Sequence, residues 1–258
     1  MFVLLRRRVF RQAVACLLLF LAGMLAGGYL ADRPPLAVLV GRAKRLLPIY
    51  SVETQERKVA LSFDATWGAQ YTPRILEILR QHSVKTTFFL TNIWLEKYPD
   101  VAKKIAAEGH EIGLHSATHP HFTSLSEEEM ERELRENHRL VEEITGYRPE
   151  LFRPPFGDYN DTVIRVVQRL GYKAIQWDVD SLDWQEHLSA DDIYRRVVEG
   201  IKPGSIVLFH NNGRYTADVL GPLLEKLKAD GYQVVPVSEL LIKGDYYVDH
   251  AGVQRPAL

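Results

Sequence analysis

Only one cysteine, Cys16, occurs in the 258 residues, so no disulfide can form within the chain. Because Cys16 sits inside an apolar run near the start, everything after it also lacks thiol chemistry. It stands too early in that run, and with the wrong flanks, to be a lipid-attachment cysteine. Net charge is equally scarce: 32 Lys and Arg against 33 Asp and Glu leave −1. That removes a composition-level case for nucleic-acid binding. The absence of internal repeats and low-complexity segments excludes solenoids and tandem arrays. What remains, 46% hydrophobic and 25% charged, is an ordinary globular composition, long enough for one large domain or two small ones.

Charge is unevenly spread at the start. Arg6, Arg7, Arg8 and Arg11 precede an uncharged run from Ala13 to Ala31, about the length of a membrane-crossing helix. With the arginines inside, the chain after residue 31 lies outside the cytoplasm. An uncleaved anchor is the preferred reading of residues 1–31. A cleavable signal peptide has the same pattern, with small residues at Ala26-Gly27-Gly28, and would make the protein secreted. Residues 32–57 read as a juxtamembrane spacer. Within it, Ile49-Tyr50-Ser51-Val52 can pair with the next strand across the polar 53–57 turn.

From residue 58 the pattern becomes regular. Short apolar strands are predicted at 59–63, 86–90, 111–114, 151–152, 172–177, 206–209 and 233–237. Amphipathic helices are predicted at 72–81, 100–108, 162–170, 190–199 and 217–229. The clearest helix starts at Ser126, with Glu129 placed to reach back, and closes at Gly146. Strands alternating with helices imply a parallel sheet covered by helices, and seven such units predict a distorted (β/α)7 barrel over 58–242. The tail 243–258 reads as a surface extension.

In such a barrel the reacting groups gather at the carboxyl ends of the strands, and the unusual polar residues fall there. Strand one ends in Phe63-Asp64-Ala65-Thr66-Trp67-Gly68, and strand three in His115-Ser116-Ala117-Thr118-His119-Pro120-His121. Strand four ends in Arg153-Pro154-Pro155-Phe156-Gly157. Strand five runs into Asp180-Ser181-Leu182-Asp183-Trp184, and strand six ends in Leu208-Phe209-His210. His115 and His119 have metal-ligand spacing: on one helical turn their Cβ atoms would be about 5–6 Å apart. Each residue also has a structural reading, as a cap, an ion-pair partner or core filler. Five clusters on one rim are hard to explain as packing. His82, His110, His138, His187 and His250 have no motif around them.

These motifs, in this order over residues 58–242, resemble the NodB-homology polysaccharide deacetylases, carbohydrate esterase family four. The Phe63–Gly68 variant is similar to a sporulation-associated, PdaB-like subgroup. The resemblance implies hydrolysis of N-acetyl groups on a cell-wall glycan, plausibly peptidoglycan, with the membrane segment holding the enzyme beside it. It implies a divalent ion on His115 and His119, zinc first, with cobalt or manganese as alternatives. Asp64 would be the general base, Arg153 its holder, and His210 the general acid paired with Asp183. The Phe156 N–H would bind the oxyanion, Trp184 and Leu208 would wall the acetyl methyl, and Trp67 would touch the sugar.

One position departs from the family. Where most members carry a second, metal-binding aspartate, this chain has Ala65, leaving two protein ligands where a catalytic zinc usually has three. Water could fill the gap, Thr66 or His121 could substitute, or metal and activity could be lost, leaving a glycan-binding protein. A glycosidase using Asp180 and Asp183 is a further alternative, but it leaves the histidines and Arg153 without a role.

Overall fold

A computed structural model describes residues 45–257. The anchor at 1–31 and the first half of the spacer, 32–44, lie outside the described residues. Among the described residues no helix is long and apolar enough to cross a membrane.

The centre of the fold is β2 (Lys58–Ala65), buried on both faces. Val59, Leu61, Phe63 and Ala65 join the main apolar cluster, whereas Ala60 turns to a second one beside Ser62 and Asp64. That is why the stretch reads as a continuous apolar run. β3 (Thr87–Leu90) and β4 (Glu111–Leu114) follow on one side, with β5 (Leu151–Phe152) and β6 (Lys173–Ala174) beyond. β8 (Ile206–His210) and β7 (Val179–Asp180) lie on the other side, giving the order β6-β5-β4-β3-β2-β8-β7. Every neighbouring pair is parallel, and β9 (Gln233–Val234) adds to the start of β2. Phe63 stacks between Phe88 and Phe209, with centroids 4.9 and 5.7 Å away.

The helices around the sheet are α1 (Thr72–Gln81), α2 (Asn92–Lys97), α3 (Pro99–Ala107), α4 (Glu127–Thr145), α5 (Asp161–Arg169), α6 (Ala190–Gly200), α7 (Thr216–Ala229) and the short α8 (Val237–Leu240). α4 carries the capping box expected of Ser126 and Glu129 and ends on Gly146 at φ +69°. α2 was not expected. Thr91 starts it by accepting the Trp94 N–H.

The sheet is parallel and curled, as a distorted barrel requires, but it reaches only a half-barrel: among the described residues β6 and β7 do not pair. Three expectations are corrected. The strand expected to run to Trp177 stays beside β5 only as far as Ile175, whose N–H donates to the Phe152 carbonyl (2.9 Å), and Ile49 lies along its other edge. The Ile49 N–H donates to the Ala174 carbonyl (2.9 Å) and the Gln176 N–H to that of Ile49 (2.7 Å). The segment around Ile49 therefore forms no hairpin with β2. The tail is no loose extension either. β1 (Ser51–Val52), β10 (Tyr246–Val248) and β11 (Val253–Pro256) form a three-stranded sheet in the order β1-β11-β10. Gln254 in it is fully buried and accepts the Ile242 N–H.

Candidate active site

A cleft of about 490 Å³ opens at the carboxyl ends of the strands, within the range of small-molecule sites. Asp64, Trp67, His115, His119, Phe156, Trp184, Leu208 and His210 all line it. Among the described residues the exposed large apolar side chains are Trp67, Phe156, Trp184 and Tyr247. Three of these four surround the cleft, between 57% and 61% exposed. Leu208 lies at the floor, nearly buried.

Asp64 sits near the end of β2 and His210 at the end of β8, where the register makes them direct partners. One Asp64 oxygen accepts from Arg153 Nη1 (2.8 Å), and the other lies 3.5 Å from His115 Nε2. Burial pushes this carboxyl up, but the Arg153 guanidinium, with His115 and His210, outweighs it and holds Asp64 below the ordinary carboxylate value. Arg153 is itself fully buried. It donates Nη2 to Ser62 Oγ (2.9 Å) and to the Gln176 carbonyl (3.1 Å), and lies 4.1 Å from the centroid of the Phe89 ring. Such a charge is tolerated inside only because it is paired and hydrogen-bonded.

His210 is governed oppositely. Burial lowers it, but Asp183, then Asp64 and Asp180, raise it above the ordinary imidazole value. Its Nδ1–H donates to Asp183 Oδ1 (2.7 Å). The other Asp183 oxygen takes the His210 N–H (2.8 Å) and the Thr216 hydroxyl (2.5 Å). With both oxygens engaged and only 4% of its surface exposed, Asp183 is unavailable as half of a glycosidase pair. Asp180 lines the cleft but caps the Leu182 N–H (2.9 Å).

The histidine pair is brought together, with ring centroids 5.0 Å apart. His115 donates Nδ1–H to the Arg153 carbonyl (2.7 Å), which leaves the Nε2 lone pair facing the cleft. Burial holds both imidazoles below their ordinary value, His119 at about 4 with His115 adding to the effect. They are therefore neutral at physiological pH, the state in which imidazole binds a metal.

The donor set stops there. Ala65 is fully buried in the apolar cluster and does not line the cleft. His121 stacks on Phe156 (4.2 Å) and approaches Asp158 at 3.5 Å; its side chain is mostly exposed, so it is not the missing ligand. Thr66 does line the cleft. Among the described residues no group of three or more His, Cys, Asp or Glu is placed to hold a metal ion. The residues thus fit a divalent ion in kind but fall short of a three-ligand site in number.

Asn212 and Trp177, to which the sequence assigned no role, also line the cleft. Sequence reasoning missed the supports Ser62, Gln176 and Thr216. The polar Asn211-Asn212 after strand six was the one available signal, since the supports belong to no motif.

The chain matches the polysaccharide deacetylase family over residues 51–175. It is 33% identical over 195 residues to a peptidoglycan-N-acetylglucosamine deacetylase of Bacillus cereus, covering 74% of this chain and 70% of that protein. To the peptidoglycan-N-acetylglucosamine deacetylase PgdA of Listeria monocytogenes it is 36% identical over 204 residues, covering 76% of this chain and 43% of that longer protein. Among solved structures it resembles a CE4 family pseudoenzyme from Bacillus anthracis, with TM-score 0.72 and 37% identity over 75% of this chain and 68% of that one. A mutant of that pseudoenzyme is described as having restored enzymatic activity.

Proposed function

Because the chain belongs to the polysaccharide deacetylases of carbohydrate esterase family four, we propose that it hydrolyses N-acetyl groups on the amino sugars of a cell-wall glycan, N-acetylglucosamine or N-acetylmuramic acid of peptidoglycan. One observation carries this reading. Asp64 and His210 are register partners on adjacent strands, one held below and the other above its ordinary value. Two titratable groups pushed apart in one cleft are the signature of an acid and a base.

Asp64, kept anionic by Arg153, takes a proton from the attacking water. His210, kept cationic by Asp183, gives a proton to the departing sugar nitrogen as the C–N bond breaks. Acetate and a free amine result. The Phe156 N–H is assigned to the developing oxyanion, and Leu208 and Trp184 to the acetyl methyl. Trp67 is assigned to the apolar face of the sugar. Deacetylases of this family are generally metal-dependent. Here the two-imidazole donor set is incomplete, and the steps above belong to the chain's own groups.

The reading extends to location. The basic flank and apolar run at residues 6–31 would keep the domain outside the cytoplasm beside its substrate, and the Phe63–Gly68 variant supports a role in sporulation. Proteolysis of the domain in intact cells and the wall composition of a deletion strain during sporulation test these two points.

A second reading, a glycan-binding protein without turnover, is favoured by the missing third ligand. Acetate release from N-acetylated chitooligosaccharide and from peptidoglycan, with and without zinc, cobalt or manganese, separates the two. The deacetylase reading expects acetate from the natural chain. Glycan binding without acetate from any of these substrates and metals would establish the second reading instead.

A further inference from the structure

The loop that presents the two histidines is strained. Ser116 and His119 have φ of +75° and +57°, a region that costs a non-glycine residue roughly 1–2 kcal/mol. Inside the loop a side-chain bond opposes this strain, from the His119 N–H to Ser116 Oγ (2.9 Å). From outside, the Asn92 N–H donates to the Ser116 carbonyl (3.2 Å), and α4 supplies a set of side-chain bonds. Asn137 accepts the His115 N–H (3.0 Å). Its amide donates to the Leu90 carbonyl (3.0 Å) and to Asn92 Oδ1 (2.8 Å). Four residues earlier, Glu133 grips Thr118, one oxygen accepting its N–H (2.8 Å) and the other its hydroxyl (2.7 Å).

A four-residue spacing puts Glu133 and Asn137 on one face of α4, a turn apart. The helix thus holds the loop at two points, His115 and Thr118, which flank the first left-handed residue and precede the second. Asn137 is also out of character for its place. The other buried residues of α4 are Met130, Leu134 and Val141, and a fully buried amide is unfavourable there unless it is hydrogen-bonded. A leucine would satisfy the core equally well, so packing alone does not account for an asparagine.

We propose that Glu133 and Asn137 are a positioning pair for the imidazoles of His115 and His119: they hold the strained loop in the one conformation that aims both rings into the cleft. They touch neither substrate nor reacting atoms. The activity readout rests on the deacetylase reading, so the decisive measurement is independent of it.

The test uses Glu133→Ala, where the side chain is partly exposed and the fold is not at risk, with Glu133→Gln as the conservative control. A glutamine can accept the Thr118 N–H and donate to its hydroxyl. The ring-proton NMR signals of His115 and His119 are expected to shift in Glu133→Ala while those of His210 stay. The Thr118 amide should exchange with solvent at least tenfold faster, and both effects should be reversed in Glu133→Gln. In the acetate assay, kcat is expected to fall about 10- to 100-fold with KM within twofold, since a small misplacement of a reacting group has that effect. Unmoved His115 and His119 signals, or an equal loss in the glutamine variant, would overturn the proposal. If the natural chain releases no acetate, the deacetylase reading fails, while the NMR and exchange results still decide this one.

Discussion

The two ends of the sheet solve the same backbone problem differently. At the amino-terminal end, left-handed turns fall mostly on glycine. Gly109, Gly171 and Gly231 end helices, while Gly204 and Gly252 sit where β1, β11 and the start of β8 meet. At Gly204 an added Cβ would come 1.8 Å from the Val52 carbonyl oxygen, so no side chain is possible. At the carboxyl-terminal rim, Gly68 and Gly157 are joined by Ser116, His119, Phe156 and Leu182, all at positive φ. A left-handed residue is stabilised by being glycine. Placing an imidazole or a phenyl ring there forgoes that stability to put a side chain over the cleft. Strain of this kind persists only where surrounding contacts hold it, and at the histidine loop the side-chain contacts come from α4, with the Asn92 N–H on the Ser116 carbonyl.

The largest expected contrast between the ends comes from Asp64→Asn. Turnover should fall about 10²- to 10⁴-fold in the acetate assay, and the thermal midpoint should fall as well because buried Arg153 loses its charge partner; retained turnover would remove Asp64 as the base. Gly204→Ala should separate stability from chemistry. With φ at +85° and no room for Cβ, it should destabilise the fold by about 3 kcal/mol in urea unfolding, while the folded fraction keeps its kcat. A normal midpoint would mean that the lower sheet yields easily.

Asp183→Asn sharpens the electrostatic side of the contrast. His210 is held above its ordinary value chiefly by Asp183 against burial. Losing that charge should move the alkaline limb of the pH–rate profile toward lower pH and reduce turnover at pH 8 roughly tenfold. The sign for stability follows. A raised imidazole stabilises the fold fully below its unfolded value, and the contribution is lost as pH rises through the folded value. Midpoints of the natural chain and the variant should therefore converge at alkaline pH; a constant gap would exclude the charge pair as its source. The smallest effect is expected at Ser83, a non-glycine at φ +54° on the helix-to-strand side. Ser83→Gly should stabilise by about 1 kcal/mol, raising the thermal midpoint by roughly 2–4 °C, and leave kcat unchanged. A matched fall in kcat would mean that the two ends are coupled.

Most strands and helices were legible because each is a local pattern: apolar runs between glycines, a capping box, an amphipathic repeat. Errors arose where a distant segment competes for a local one. The segment around Ile49 looks like the first arm of a hairpin with β2, but Ile49 adds to the free edge beside Ile175. Val253–Pro256 looks like tail until β1 pairs with it. The candidate site divides in the same way. Asp64, His115, His119, Arg153 and His210 stand in short motifs at strand ends, and strand order alone brings them to one rim. Ser62, Gln176, Glu133, Asn137 and Thr216 support them from positions with no motif, since any residue able to hydrogen-bond at that point in space would serve.

The sequence by itself determined the parallel α/β architecture, through periodicity, and, through short motifs kept in order, the family resemblance and most of the side chains facing the cleft. It also determined that Ala65 cannot coordinate a metal. Only the tertiary structure decided that the barrel stays open, that His121 lies against Phe156 instead of joining the histidine pair, and that α4 holds the strained loop. Each of these turns on which of several distant groups reaches a point first, and that is set by packing of the whole chain.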